Sequence, residues 1–253
     1  MRDTDADWKA IGAAEPFWGV ITAPQFKRKN LDSDCLASFY ACGVEHIVSV
    51  TSRLERAAAK PIHVSRALDF GCGTGRLSEA MTKYADEVIG FDISPNMLTE
   101  ARRYSKGGVH YCDQIPDGKF GWINSFIVFQ HVPPKRGLKL FEELLQKLDH
   151  GGFISLHFTI YRDLAADPPE RFGEAPVSML RKWAHAMLRK SAIGKAVRRI
   201  WWGSAPRGTM LMFDYDLNRI CALCHRYGIE ELTLVHTNHG GCHGVEVYGC
   251  SGA

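Results

Sequence analysis

The 253 residues suit one domain, or one domain with an elaboration, and a hydrophobic content of 45% suffices for a sizeable core. A net charge of +3 implies no nucleic-acid partner by itself, and no apolar run approaches the roughly 20 residues a membrane span needs. The opening Met1-Arg2-Asp3-Thr4-Asp5 is polar and acidic with no apolar signal core, so a cytoplasmic protein with reduced thiols is expected.

Residues 1–32 carry aromatics without clear periodicity: Trp8, Phe17-Trp18 and Phe26. A helix is predicted over 33–59, with Leu36, Phe39, Tyr40, Val44, Ile47 and Val48 on its apolar face. Strand and helix signals then alternate. Strands are expected over 64–70, 87–92, 109–112, 122–129 and 153–158, and helices over 76–84, from Ser94-Pro95 onward, and over 135–148. Ser94 suits an N-cap and Pro95 the first helical position. Residues 160–213 break this rhythm from Asp167-Pro168-Pro169 onward, with a helix expected near 177–190. Stretch 181–202 holds seven Lys or Arg and no Asp or Glu. A helix over 216–227, a strand over 231–236 and a last strand over 245–250 complete the chain, the two strands joined by a hairpin-like turn over 239–244. Such β-α alternation implies a mostly parallel sheet with helices on both faces.

The stretch that organises the chain is Ala67-Leu68-Asp69-Phe70-Gly71-Cys72-Gly73-Thr74-Gly75-Arg76-Leu77. A strand, a glycine turn and a helix make a site for a nucleotide in an α/β fold. The dinucleotide fingerprint needs glycine at its first, third and sixth positions, and no register here supplies it. No Lys-Ser/Thr pair follows the glycines, so a P-loop is excluded. The pattern that fits is Asp-x-Gly-x-Gly-x-Gly, at Asp69, Gly71, Gly73 and Gly75.

This pattern resembles motif I of the class I S-adenosylmethionine (SAM)-dependent methyltransferases, and the resemblance runs over roughly residues 64–250. It implies an α/β, Rossmann-like, seven-stranded sheet, mostly parallel, with the last strand antiparallel and a helical insertion after strand five. It implies three parts: an N-terminal helical cap (1–60), a SAM-binding core (61–159 and 214–253) and a helical lid or substrate insertion (160–213). The cofactor it implies is SAM, leaving S-adenosylhomocysteine (SAH) as product. Asp69, Gly71, Cys72 and Gly73 match the glycine loop. Asp92, ending strand two, matches the family acid that accepts the ribose hydroxyls, with Ile93 and Met97 beside it. Asp113 matches the residue near the adenine amino group, flanked by Gln114 and Ile115. Phe129 ends the expected strand four, and Phe17 and Trp18 are expected to close the cofactor side. Leu148-Asp149-His150-Gly151-Gly152 resembles the family turn before strand five, with His150 where proline is usual.

Methyl transfer to a hydroxyl needs a base. His131, in Gln130-His131-Val132-Pro133-Pro134 after strand four, is the first candidate, and His157 and Tyr161 near the end of strand five are second choices. The Asn/Asp-Pro-Pro-Tyr/Phe motif of enzymes acting on nucleobase amines is absent, as is a Pro-Cys nucleophile. The expected acceptor is therefore a small molecule, through a hydroxyl of a sugar, polysaccharide precursor or secondary metabolite. An RNA- or protein-directed enzyme and a non-catalytic SAM-binding protein are the alternatives. The basic run 181–202 is either a solvated helix face, a contact for an anionic substrate, or a membrane or nucleic-acid contact.

Cys221, Cys224, His239 and His243 match a zinc-site spacing, and Cys221-Ala222-Leu223-Cys224-His225 a haem-attachment pattern. Leu217, Ile220, Cys221, Cys224 and Tyr227, however, fall at helical spacing ahead of Gly228. The two cysteines are therefore expected on a buried helix face, and no metal is expected.

Overall fold

The computed structural model describes residues 3–163 and 207–252. Of the expected insertion, 164–206 lie outside the described residues, and with them the basic run. Seven strands form one sheet in the order β3-β2-β1-β4-β5-β7-β6. They are β1 (Val64–Phe70), β2 (Ala85–Phe91), β3 (Val109–Cys112), β4 (Phe120–Ser125), β5 (Leu148–Arg162), β6 (Leu232–His239) and β7 (Cys242–Cys250). The first five strands pair in parallel, and β7 runs antiparallel between β5 and β6.

Alternation along each strand splits the core into two layers. Ala67, Val88, Trp122 and Phe153 face α3 (Ser33–Ala58) and α4 (Arg76–Met81). Leu68, Ile89, Ile123 and Ile154 face α6 (Pro134–Gln146) and α7 (Leu217–Arg226). Strands buried on both faces need near-continuous apolar sequence, which is why they stand out in the chain. The start of α5 (Pro95–Tyr104) matches its sequence signal: Ser94 caps it by accepting from Met97 N, and Pro95 is the first helical residue.

Several boundaries differ from expectation. Strand four ends at Ser125 rather than 129, because Ile127 takes a left-handed φ of 58° and Phe129–His131 form a 3-10 turn. A β-branched residue is a genuine outlier there. Apolar composition continues through this turn and imitates a strand. The first helix after the glycine loop stops at Met81. Strand five is much longer than expected, because β7 pairs with it as far as Arg162. The hairpin turn narrows to Gly240-Gly241, both at positive φ. The N-terminal 32 residues, without legible period, hold α1 (Thr4–Ala14) and α2 (Pro16–Val20).

Cys224 is fully buried against α6 and the sheet, whereas Cys221 is only partly buried. Among the described residues no group of three or more His, Cys, Asp or Glu is arranged to hold a metal. Cys224→Ser should therefore lower stability by about 1–3 kcal/mol, the cost of burying a hydroxyl without a good partner. Cys221→Ser should change it little. Chemical denaturation compares the two, and equal losses together with stoichiometric zinc in the wild type would contradict this reading of the helix.

Candidate active site

A largely apolar cavity opens at the carboxyl ends of β1, β2 and β4, the place where open α/β sheets take ligands. Its floor is the glycine loop. Gly71, Gly73 and Gly75 have φ of 78°, 56° and 82°, so each sits where side chains are disfavoured. Close approach adds to the requirement: a Cβ on Gly71 would lie 2.4 Å from Val128 Cγ2, and one on Gly75 2.2 Å from the Tyr111 hydroxyl.

Two carboxylates stand beside this loop and serve differently. Asp69 is buried, accepting from Ser78 Oγ at 2.6 Å and Asn124 Nδ2 at 2.9 Å. Asn124 Oδ1 in turn accepts from Ser155 Oγ, which accepts from Trp122 Nε1. Asp69 thus ties β1, β4, β5 and α4 together, although burial still raises its pKa. Asp92 accepts from Gly73 N at 2.9 Å and Ser94 N at 2.8 Å, one bond to each oxygen. Each oxygen keeps acceptor capacity towards a further donor. Burial pushes the Asp92 carboxyl up to about 6.

At the start of α4, Thr74 Oγ1 and Arg76 Nε are buried without a hydrogen-bond partner among the described residues. Arg76 lines the cavity and is 9% exposed. Leaving such donors unmade is costly.

The cavity has a roof. Thr4, Asp5 and Trp8 of α1 and Gly19 and Val20 of α2 line it. Arg136 of α6 grips Asp5 with two bonds of 2.6 and 2.7 Å, Trp8 meets His131 edge-on at 4.7 Å, and Gly208 N donates to Asp7 Oδ1. None of these roof residues is marked by any sequence pattern; only the helix cap Asp3 and the Glu15-Pro16 break hint at the two helices.

His131 lines the cavity and is buried. The Leu211 carbonyl lies 2.9 Å from Nδ1, so Nδ1 carries the proton and donates. Burial pushes the ring down to about 4, so it is neutral, and Nε2 accepts from Gln130 Nε2 at 3.0 Å. Gln130 Oε1 is held in turn by Thr159 Oγ1. Leu211 belongs to 207–213, the described end of the expected insertion, which also bonds Gln130 through Phe213 N, and Tyr215 N, just beyond it, donates to the Thr159 carbonyl.

Of the residues expected at the cofactor, Asp69, Gly71, Cys72, Gly73, Asp92, Ile93, Met97 and Ile115 line the cavity. Asp113 and Gln114 are exposed beyond its lining. Phe129 lies in the core between Phe70 and Phe158. Phe17 packs with Phe26 and Phe39, and Trp18 with Ile11, Met97 and Met210, so both brace the roof from behind. His157 and Tyr161 are also absent from the lining. His157 lies among His46, Phe126 and His239, and Tyr161 is 48% exposed and stacks on His243. Both fall on β5, whose unexpected extension moves them from the strand's end.

Residues 67–152 match the family described as a methyltransferase domain. A trans-aconitate 2-methyltransferase of Rhizobium etli is 31% identical over 144 residues, 54% of this chain and 52% of that protein. A ubiquinone biosynthesis O-methyltransferase of Xanthomonas euvesicatoria is 33% identical over 94 residues, 33% of this chain and 37% of that protein. The chain thus spans about half or less of the curated relatives it matches. In fold it is similar to the SAM-bound magnesium protoporphyrin IX methyltransferase of Synechocystis PCC 6803 (TM-score 0.56, 14% identity, covering 99% of this chain and 98% of that one). It is also similar to the SAH-bound N-methyltransferase NodS of Bradyrhizobium japonicum (TM-score 0.55, 11% identity, covering 98% and 99%). No described helix is long and apolar enough to cross a membrane.

Proposed function

We propose that this chain, which carries a class I SAM-dependent methyltransferase domain, transfers a methyl group to an oxygen of a small-molecule acceptor bound beneath α1. The observation that carries this is the cavity itself: a floor containing Gly71 and Gly73, a carboxylate at its edge and a buried guanidinium at one wall. These residues fit SAM. Asp92 offers two oxygens to the ribose diol, Ile93, Met97 and Ile115 supply apolar contact for the adenine, and Gly71 and Gly73 admit the methionyl chain against backbone. Arg76 Nε, without a partner of its own, suits the cofactor's carboxylate.

When bound, SAM supplies a methyl on a positively charged sulfur, open to in-line displacement. The protein's part is to align the acceptor and exclude water. Trp8, Val20 and Val132 do the latter. We assign His131 as the group that takes the acceptor hydroxyl's proton. The Leu211 carbonyl already fixes the proton on Nδ1, so Nε2 presents a lone pair, and the acceptor hydroxyl replaces the Gln130 amide there. His131→Ala should lower kcat by about 10²–10⁴-fold, the usual worth of a positioned base, with SAH affinity unchanged.

The experiment is to supply methyl-labelled SAM with the small-molecule fraction of a cell extract, and separately with its RNA and protein. Label in small molecules that resists mild alkali, as an ether does, is the expected result. Label confined to RNA or protein would overturn the small-molecule reading, and an alkali-labile ester would overturn the hydroxyl.

A further inference from the structure

We propose that Arg136 is the seat of a carboxylate carried by the acceptor, and that Asp5 occupies the seat until the acceptor arrives. The proposal rests on the reading of the cavity as the methyl-transfer site and adds a chemical class to its acceptor. Arg136 and Asp5 both line the cavity and meet in the two-bond geometry that a planar guanidinium makes with any carboxylate. One partner belongs to α6, at the cavity wall, and the other to the roof helix α1. The pair thus bridges two elements that line the cavity.

The surroundings favour an anion there. The chain enters α6 as Pro133-Pro134-Lys135-Arg136, with no acidic residue in the first turn and no capping side chain. Two cations therefore sit at the positive end of a helix dipole, a place where helices ordinarily put acids. Asp5, a residue of a different helix, supplies the missing negative charge. The exchange is cheap, because the side chains are 42% and 30% exposed and an ion pair so open to water contributes little stability. It is also charge-neutral: one carboxylate leaves the guanidinium as another takes its place. An uncharged acceptor would have to break the pair without replacing it. On this basis the acceptor is a hydroxy acid, with its hydroxyl at His131 and its carboxylate at Arg136, both on the cavity wall.

The test separates a seat from a strut by the sign of two substitutions. Calorimetry follows mono-, di- and tricarboxylates, with trans-aconitate as the first probe and the matching amides as controls. The titrations use the free protein and the SAH complex of wild type, Asp5→Asn, Arg136→Gln and Arg136→Lys. A seat predicts that Asp5→Asn tightens carboxylate binding about fivefold by removing the internal competitor. It predicts that Arg136→Gln weakens binding tenfold or more, with Arg136→Lys in between. A strut predicts that both substitutions, which break the same pair, act in the same direction. Movement of both variants together would overturn the proposal. So would amides binding as well as acids, or an absence of carboxylate binding in every variant. Loss of SAH binding alone would strike the cofactor assignment and leave the carboxylate titrations of the free protein to decide the seat.

Discussion

The protein should lose stability steeply as the pH falls below about 6.5, the ordinary histidine value. Burial holds His46 down to about 4, His131 to about 4 and His157 to about 3. His157 Nδ1 is buried with no partner among the described residues. Between pH 6.5 and 4 the unfolded chain therefore binds protons at these rings that the folded chain refuses. Stability is fully present above 6.5 and drains away as the pH falls, by about 1.4 kcal/mol per pH unit for each net proton. Asp92, raised to about 6, and Asp69, also raised, act in the opposite sense, since the folded chain takes up their protons first. The rings outnumber the two carboxyls, so the net effect remains a loss of stability as the pH falls, made shallower by about one proton below about 6, where Asp92 titrates. Thermal melts at a series of pH values measure it, and His157→Leu should make the slope shallower by close to one proton. A melting temperature that stays level from pH 7 to pH 5 would show the rings to be less protected than this fold makes them.

The second large effect is expected at Gly73. Its φ of 56° and the 2.7 Å from a would-be Cβ to Val20 Cγ2 leave no room for a side chain between floor and roof. Gly73→Val adds left-handed strain of about 1–2 kcal/mol and fills the space beside the cofactor's methionyl chain. The strain lowers stability, while the side chain, occupying space the ligand needs, should lower SAH affinity by about tenfold or more. Gly107→Ala is the control: its φ is 90° but nothing lies within 4 Å of an added Cβ, so it should cost stability and leave affinity intact. Equal affinities in the two variants would mean the ligand does not reach the glycine loop.

What was legible in the sequence followed from short-range physics. The parallel strands are apolar on both faces, the glycines need positive φ, and Ser94-Pro95 starts a helix by local bonding. Asp69 and Asp92 were therefore found at strand ends, but not their different duties. Asp69 spends both oxygens on Ser78 and Asn124, and a partner 55 residues distant leaves no local trace. The misplacement of Phe129, His157 and Tyr161 has one cause, a shift in where strands four and five end. The left-handed Ile127 shortens one strand, and pairing with β7 lengthens the other. An N-terminal cap is expected from the sequence, but which of its residues line the cavity is not legible there, because α1 has only four buried positions, two of them polar. Trp8, Asp5 and Arg136 acquire their meaning only when α1 lies across the sheet.

The central claim, that this cavity binds SAM through Asp92 and the glycine loop, is tested most directly by calorimetric titration of SAH into wild type and Asp92→Ala. Melting temperatures of the two are recorded alongside, since Asp92 also holds Gly73 N and Ser94 N. One SAH per chain is predicted for the wild type, weakening as the pH falls below about 6 and Asp92 takes up a proton. Asp92→Ala should lose about 1–3 kcal/mol of binding, the worth of hydrogen bonds from the ribose hydroxyls to a charged acceptor. Wild-type affinity in a folded Asp92→Ala protein, or no SAH binding by the wild type, would contradict it.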